Sequence, residues 1–208
     1  MDNKILLGGI IAFIIVAILG PIVIPILKRL KLGQTEREEG VKEHLKKAGT
    51  PTMGGIMIIV AIVIPSLFFI DSFKRIIPIL ILTVGFGIIG FLDDYLKVIK
   101  KDSDGLMPLQ KLVLQFGVTG IFAFYLLKYT DVGLKILLPF SGGKYIEPGT
   151  FGIVLLFIAV LGTVNGVNFT DGLDGLASSV TIPVAVFFAA VSLSVKGGII
   201  PIAVITTG

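Results

Sequence analysis

Charge-free apolar runs alternate with short polar stretches along this chain. Six such runs can be drawn, at residues 5–27, 53–70, 76–92, 112–127, 151–169 and 175–195. Each approaches the ~20 residues that an α-helix needs to cross a bilayer. None shows the strict apolar–polar alternation of a membrane β-strand, and only helices or closed barrels satisfy their backbone polar groups in lipid. The pattern therefore predicts an all-α, polytopic transmembrane helical protein, folded as a single transmembrane domain over residues 1–208. Prolines at 21, 25, 65, 78 and 183 fall inside or near the ends of these runs, where spanning helices tolerate kinks. A seventh run starts at Gly197 and stops at Gly208, too short to cross a membrane. The expectation is six spans plus the start of a seventh, the N-terminal part of a longer protein.

Composition agrees with the pattern. The chain is 54% hydrophobic and only 15% charged, where a soluble domain carries roughly 25% charge. Cysteine is absent, which excludes disulfides and thiolate metal sites. The first apolar run is too long for the hydrophobic part of a cleaved signal and lacks a small-residue cleavage site, so it reads as the first span. The net charge of +4 reads as topology. Lys and Arg flank the runs, and no basic stripe with interleaved aromatics points to nucleic acid.

Six crossings place the connecting segments alternately on two sides. Residues 28–52, 93–111 and 170–174 share one side and hold Lys28, Arg29, Lys31, Arg37, Lys42, Lys46, Lys47, Lys97, Lys100, Lys101 and Lys111. That is eleven of the 18 basic residues. The excess assigns this side to the cytoplasm and the N-terminus to the outside. On the outer side, the stretch from Tyr129 to Thr150 is the longest loop. Its Ser141-Gly142-Gly143 lies between Leu137-Leu138-Pro139-Phe140 and Lys144-Tyr145-Ile146, a pattern compatible with a small hairpin.

Three polar motifs interrupt the apolar pattern, and alternation brings all three to the cytoplasmic face. The first is Lys47-Ala48-Gly49-Thr50-Pro51-Thr52-Met53-Gly54-Gly55. Thr50 before Pro51 suits an N-cap and first helical turn, which would start the second span here. Two readings fit equally: a plain helix start, or an anion site with glycines permitting close approach and Lys47 supplying a cation.

The second motif is the pair Asp93–Asp94, which ends the third apolar run. Two carboxylates there face mutual repulsion, nearby lipid and the negative end of the helix dipole. The competing reading makes them solvated loop residues just past the helix, neutralised by Lys97.

The third motif runs Asn165-Gly-Val-Asn168-Phe-Thr170-Asp171-Gly172-Leu-Asp174-Gly175. Asp171 and Asp174 are spaced i, i+3, so a helix starting here would present both on one face, and its dipole would favour them. Capping accounts for one acid, but not for two acids with two asparagines at the end of the preceding span.

Four carboxylates and a lysine at one membrane face suit a hard divalent cation, Mg²⁺, which takes one or two carboxylates, water and phosphate oxygens. The metal would make the acids compatible with an anionic substrate. The chemistry that fits is phosphoryl transfer at the interface, with a spare carboxylate taking a proton from the nucleophile. Other polar and aromatic positions read more simply. His44 and the run Glu36–Glu39 are solvated, Gln115 is an interhelical hydrogen-bonding residue, and Phe187–Phe188 face lipid or packing.

These three motifs, in this order, resemble the polyprenyl-phosphate N-acetylhexosamine-1-phosphate transferase superfamily. The first motif is similar to the branch that handles phospho-N-acetylmuramoyl-pentapeptide. The resemblance covers essentially the whole chain. It implies a bacterial plasma-membrane enzyme of peptidoglycan synthesis, using UDP-N-acetylmuramoyl-pentapeptide, undecaprenyl phosphate and Mg²⁺. It implies catalytic roles for Asp93, Asp94, Asp171 and Asp174, with Asp93 the base on the lipid phosphate or a covalent nucleophile, and Asp94 and Asp171 near the metal. It implies substrate contacts for Lys47, Thr50, Thr52, Asn165, Asn168 and Gly172. Membrane lipid and a homodimer complete the expected partners.

The resemblance also implies about ten spans, a further metal-binding aspartate and a His-rich motif beyond Gly208. A chain lacking these is expected to be weakly active or inactive. Two alternatives remain: a transferase for UDP-N-acetylglucosamine or a related sugar, and an ion transporter. Transporter acids sit near the bilayer midplane, whereas these cluster at span ends.

Overall fold

A computed structural model describes residues 3–29, 53–68, 73–100, 105–130, 133–137, 145–171 and 175–194. Each of the six apolar runs forms a helix: α1 (Asn3–Arg29), α2 (Gly55–Phe68), α3 (Phe73–Lys100), α4 (Pro108–Tyr129), α5 (Phe151–Thr170) and α6 (Leu176–Ser194). Pro21, Pro25, Pro65, Pro78 and Pro183 all lie inside helices.

Four helices are long and apolar enough to span a membrane, over Leu7–Arg29, Ile76–Lys100, Pro108–Tyr129 and Phe151–Thr170. Two shorter apolar segments, Gly55–Phe68 and Leu176–Phe187, accompany them. At 14 residues, α2 measures about 21 Å, less than the ~30 Å hydrocarbon core. The expected seventh run lies outside the described residues.

The chain divides into two compact units. One comprises Met1–Asp71 with Thr83–Leu114, the other Ser72–Leu82 with Gln115–Gly208. In the first unit α1 packs on α2. Gly87 of α3 receives the side chain of Ile59 from α2, in space a Cβ would fill. In the second unit the ridge Gln115, Thr119 and Ala123, one turn apart along α4, is buried. Phe116 of α4 meets Phe157 of α5 with ring centroids 5.5 Å apart.

Buried positions are small or polar as often as they are large, with Ala61, Ser66, Ala123 and Thr119 among them. Large apolar side chains point outward, as Phe13 (74% exposed) and Phe68 (81%) do. Lipid is as apolar as leucine, so helices in a bilayer approach through small and hydrogen-bonding residues and turn bulky ones to the acyl chains.

The loop hairpin is present. Strand β1 (Ile136–Leu137) pairs antiparallel with β2 (Tyr145–Ile146), in the register Ile136↔Ile146 and Leu137↔Tyr145. Lys135 and Glu147 extend the pairing by an ion pair of 2.9 Å. The hairpin lies beside the start of α5, where Gly152 has no room for a side chain against Leu134 and Pro148.

Candidate functional site

The third helix does not stop at Leu92. It continues through Asp93 and Asp94 to Lys100, which corrects the reading that the acids terminate a span. The macrodipole falls off within the last turn, so it does little against residues nearly two turns inside the helix. Continuation has a local cause: it places Lys97 at i+4 from Asp93 and i+3 from Asp94, where side chains on one helical face meet. Lys97 Nζ donates to Asp93 Oδ2 at 2.7 Å and lies 3.6 Å from Asp94 Oδ1. The alternative of solvated loop acids fails as well, because Asp93 is only 8% exposed. Its one correct element is the neutralising lysine.

Asp93 is held from a second direction. The α3–α4 connection returns so that the Leu106 backbone N–H donates to Asp93 Oδ1 at 2.9 Å. Lys111, on the first turn of α4, lies 3.9 Å from Asp93 Oδ2. The start of α4 is fixed by its own sequence. Pro108 occupies the first helical position, the Gln110 side chain accepts from the Met107 N–H at 3.1 Å, and Lys111 N–H donates to the Met107 carbonyl. These are the features of a capped N-terminus, and they put Lys111 on the side of the acids.

Asp94 differs from its neighbour. Its side chain is 35% exposed against 12% for Asp93. Residues of the first and second motifs belong to one compact unit. Phe91 and Tyr95 stack at 5.9 Å on an exposed flank of the same helix, and tyrosine is a residue type that favours a membrane–water boundary.

The start of α2 differs from expectation. Met53 adopts φ +68°, a left-handed conformation that a continuous helix from Pro51 excludes. The helix begins at Gly55, closed by bonds from Ile56 N–H to the Met53 carbonyl (3.3 Å) and from Met57 N–H to the Gly54 carbonyl (3.1 Å). Lys47, Thr50 and Thr52 lie outside the described residues.

The third motif is also rearranged. Asp171 is the C-cap of α5, exposed, its N–H donating to the Val167 carbonyl at 3.1 Å. Helix α6 starts only at Leu176, after Gly175 at φ +78°. Asp171 therefore stands at the negative end of one helix, not in the first turn of the next, and the shared-face argument for Asp171 and Asp174 does not hold. Gly172 and Asp174 lie outside the described residues.

Asn168 is exposed on α5. Asn165 is not available in the same way. Its Nδ2 donates to Gln115 Oε1 (2.9 Å) and to the Leu161 carbonyl (2.8 Å), and its Oδ1 accepts from Gln115 Nε2 (3.3 Å). The structure gives Asn165 an interhelical role and agrees with the reading of Gln115. Among site residues, sequence reasoning missed Lys111, Gly105 and Leu106. Lys97 was legible from its i+4 spacing, but no periodicity links Asp93 to residues on the far side of a turn.

Among the described residues no group of three or more acids, histidines or cysteines is placed to hold a metal. Asp93 and Asp94 are a hard-oxygen pair, too few for an all-protein cage. They fit a Mg²⁺ that keeps waters and takes phosphate oxygens from a substrate, and the more exposed Asp94 is the better placed of the two.

Helices built to cross a membrane, with an acid–lysine cluster near one end of a span, define a polytopic membrane protein with a charged site at its boundary. The family model for glycosyl transferase family 4 matches residues 76–207, and the phospho-N-acetylmuramoyl-pentapeptide-transferase signature 1 matches residues 47–59. The chain belongs to glycosyl transferase family 4. It is 46% identical over 193 residues to the phospho-N-acetylmuramoyl-pentapeptide-transferase of Clostridium perfringens strain 13, covering 92% of this chain and 60% of that protein. The transferase of the same name from Caldicellulosiruptor bescii is 46% identical over 196 residues, covering 94% and 60%. That from Acetivibrio thermocellus is 43% identical over 186 residues, covering 89% and 56%. The chain thus spans about three-fifths of the length of the curated relatives it matches.

Proposed function

We propose that this protein transfers phospho-N-acetylmuramoyl-pentapeptide from its UDP donor to undecaprenyl phosphate, releasing UMP and leaving lipid I for peptidoglycan synthesis. The observation that carries this reading is the packing of the signature segment against the helix of the acids. Ile59, at the end of the signature at residues 47–59, packs its side chain against Gly87 of the helix that carries Asp93, Asp94 and Lys97, and Lys111 reaches Asp93. The relatives' names supply the donor class, and the charged motif loops are assigned to the cytoplasmic face by the lysine and arginine excess.

In this reading Mg²⁺, when bound, neutralises the diphosphate of the donor, and Asp94 holds it. Asp93 Oδ2 takes the proton of the lipid phosphate as that oxygen attacks the donor's β-phosphorus. The bond between β-phosphorus and the bridging oxygen breaks, and UMP leaves with that oxygen. Lys97 and Lys111 already lie at Oδ2 and can pass from the carboxylate to the incoming phosphate, so charge is not uncovered as the proton moves.

The test is a radiolabelled donor assay in membrane vesicles, run with UDP-N-acetylmuramoyl-pentapeptide and with UDP-N-acetylglucosamine. Label should enter lipid from the first donor only. Transfer from the second donor instead would move the protein to a related branch. Asp93→Asn should lower turnover by several orders of magnitude without loss of assembled protein; retained turnover would remove Asp93 from this role.

A further inference from the structure

We infer that Gly105 and the Leu106 backbone N–H form a positioning element that fixes Asp93, leaving its Oδ2 as the working oxygen; this deepens the transferase reading above and rests on it. The two carboxylate oxygens of Asp93 are used differently. Oδ1 accepts a backbone N–H at 2.9 Å, from Leu106. Oδ2 faces two lysine ammoniums at 2.7 and 3.9 Å. A backbone donor cannot swing away, whereas lysines on flexible stems exchange partners readily. The carboxylate is thus pinned by one oxygen, with the other directed at mobile cations that a phosphate can take over.

The pin depends on a residue without a side chain. Gly105 is buried, and a Cβ there would sit 2.6 Å from the Asp93 carbonyl oxygen and 3.0 Å from its carboxylate carbon. Backbone atoms cannot give way, so any larger residue must push the turn off α3. Restoring a 3.4 Å contact requires a withdrawal of roughly 0.8 Å, enough to stretch or break the Leu106 bond. The Gly105 carbonyl also accepts from Lys100 Nζ at 3.4 Å, so the turn is tied to α3 on both sides of the same peptide group. Misplacing a catalytic group by ~1 Å costs on the order of 100-fold in rate.

Two measurements test this. The first needs no turnover: amide exchange at Leu106, followed by NMR on the labelled protein in detergent. Exchange should accelerate about tenfold or more in Asp93→Ala and stay unchanged in Asp94→Ala; equal rates in Asp93→Ala and wild type would overturn the tether. The second is kinetic. Gly105→Ala should lower kcat per folded protein about 100-fold, with the donor KM within about threefold and a melting temperature lowered no more than in Gly152→Ala, because the lost element orients a reacting group rather than binding substrate. Met107→Ala, an exposed neighbour in the same turn, should keep wild-type kcat. Wild-type kcat in Gly105→Ala would refute the positioning role, as would a kcat loss that only tracks unfolded protein. Protected Leu106 in a wild-type protein that transfers no donor would refute the transferase reading and leave the tether standing.

Discussion

The reciprocal amide pair between Gln115 and Asn165 makes an asymmetric prediction. Gln115 is 1% exposed, and both of its side-chain bonds in this contact run to Asn165, at 2.9 and 3.3 Å. Asn165 has a further acceptor in the Leu161 carbonyl at 2.8 Å. Gln115→Leu therefore strands one oxygen of Asn165 while its amide nitrogen keeps a partner, a cost of about 1 kcal/mol. Asn165→Leu strands the donor and the acceptor of a fully buried amide, about 2–3 kcal/mol. Replacing both should cost less than the two singles together, because apolar side chains then face each other. Interhelical hydrogen bonds in membrane proteins average about 0.6 kcal/mol and reach about 1.7, so two bonds set the coupling at about 1–2 kcal/mol. Equilibrium unfolding in mixed detergent micelles, read by circular dichroism, measures all three variants. Additivity within about 0.5 kcal/mol would refute the clamp. Asn165→Leu with wild-type stability and a raised donor KM would return Asn165 to the substrate site.

Two glycines in tight contacts should respond differently to alanine. At Gly87 the obstructing atom is the flexible tip of Ile59, whereas at Gly152 it is Leu134 Cβ and the Pro148 ring, both at 2.9 Å. Thermal melting should show Gly152→Ala losing about 1–3 kcal/mol and Gly87→Ala less than half of that. In the hairpin, pairing holds Glu147 below the usual glutamate range and Lys135 above the usual lysine range. The lowered acid contributes stability above its unfolded pKa that is lost as pH falls through its folded value. The raised base contributes below its unfolded pKa and loses it as pH rises through its folded value. A pH series of melting temperatures for wild type and Glu147→Gln should therefore differ most near neutrality and converge in acid and strong alkali. Chelation of divalent cations should abolish lipid labelling in the donor assay, and added Mg²⁺ should restore it; full turnover in excess chelator would exclude the metal.

The helices were legible because lipid imposes one local rule, that long apolar stretches become helices. All six runs obeyed it, and the short hairpin falls where the loop pattern allowed one. Boundaries set by tertiary contacts were not legible. The extension of α3 past Leu92 depends on Lys97 meeting two acids, and the late start of α2 depends on a left-handed Met53. Asp171 read as a helix start, whereas the backbone makes it a helix end, with Gly175 breaking the path to α6. Lys97 was visible by spacing on one helix. Gly105, Leu106 and Lys111 were not, because the chain must turn before they reach Asp93.

Asp93, Asp94, Lys97 and Lys111 together carry no net charge, and that neutrality has a consequence for the order of events. A neutral patch exerts little pull on an anion beyond a Debye length, ~8 Å at physiological salt. The dianionic diphosphate of the donor arriving alone would leave the patch near −2, and a divalent cation alone near +2; arriving together they restore balance. Each should therefore raise the affinity of the other by the same factor. In direct binding measurements, metal and phosphate ligand should each bind weakly alone and more tightly in the other's presence.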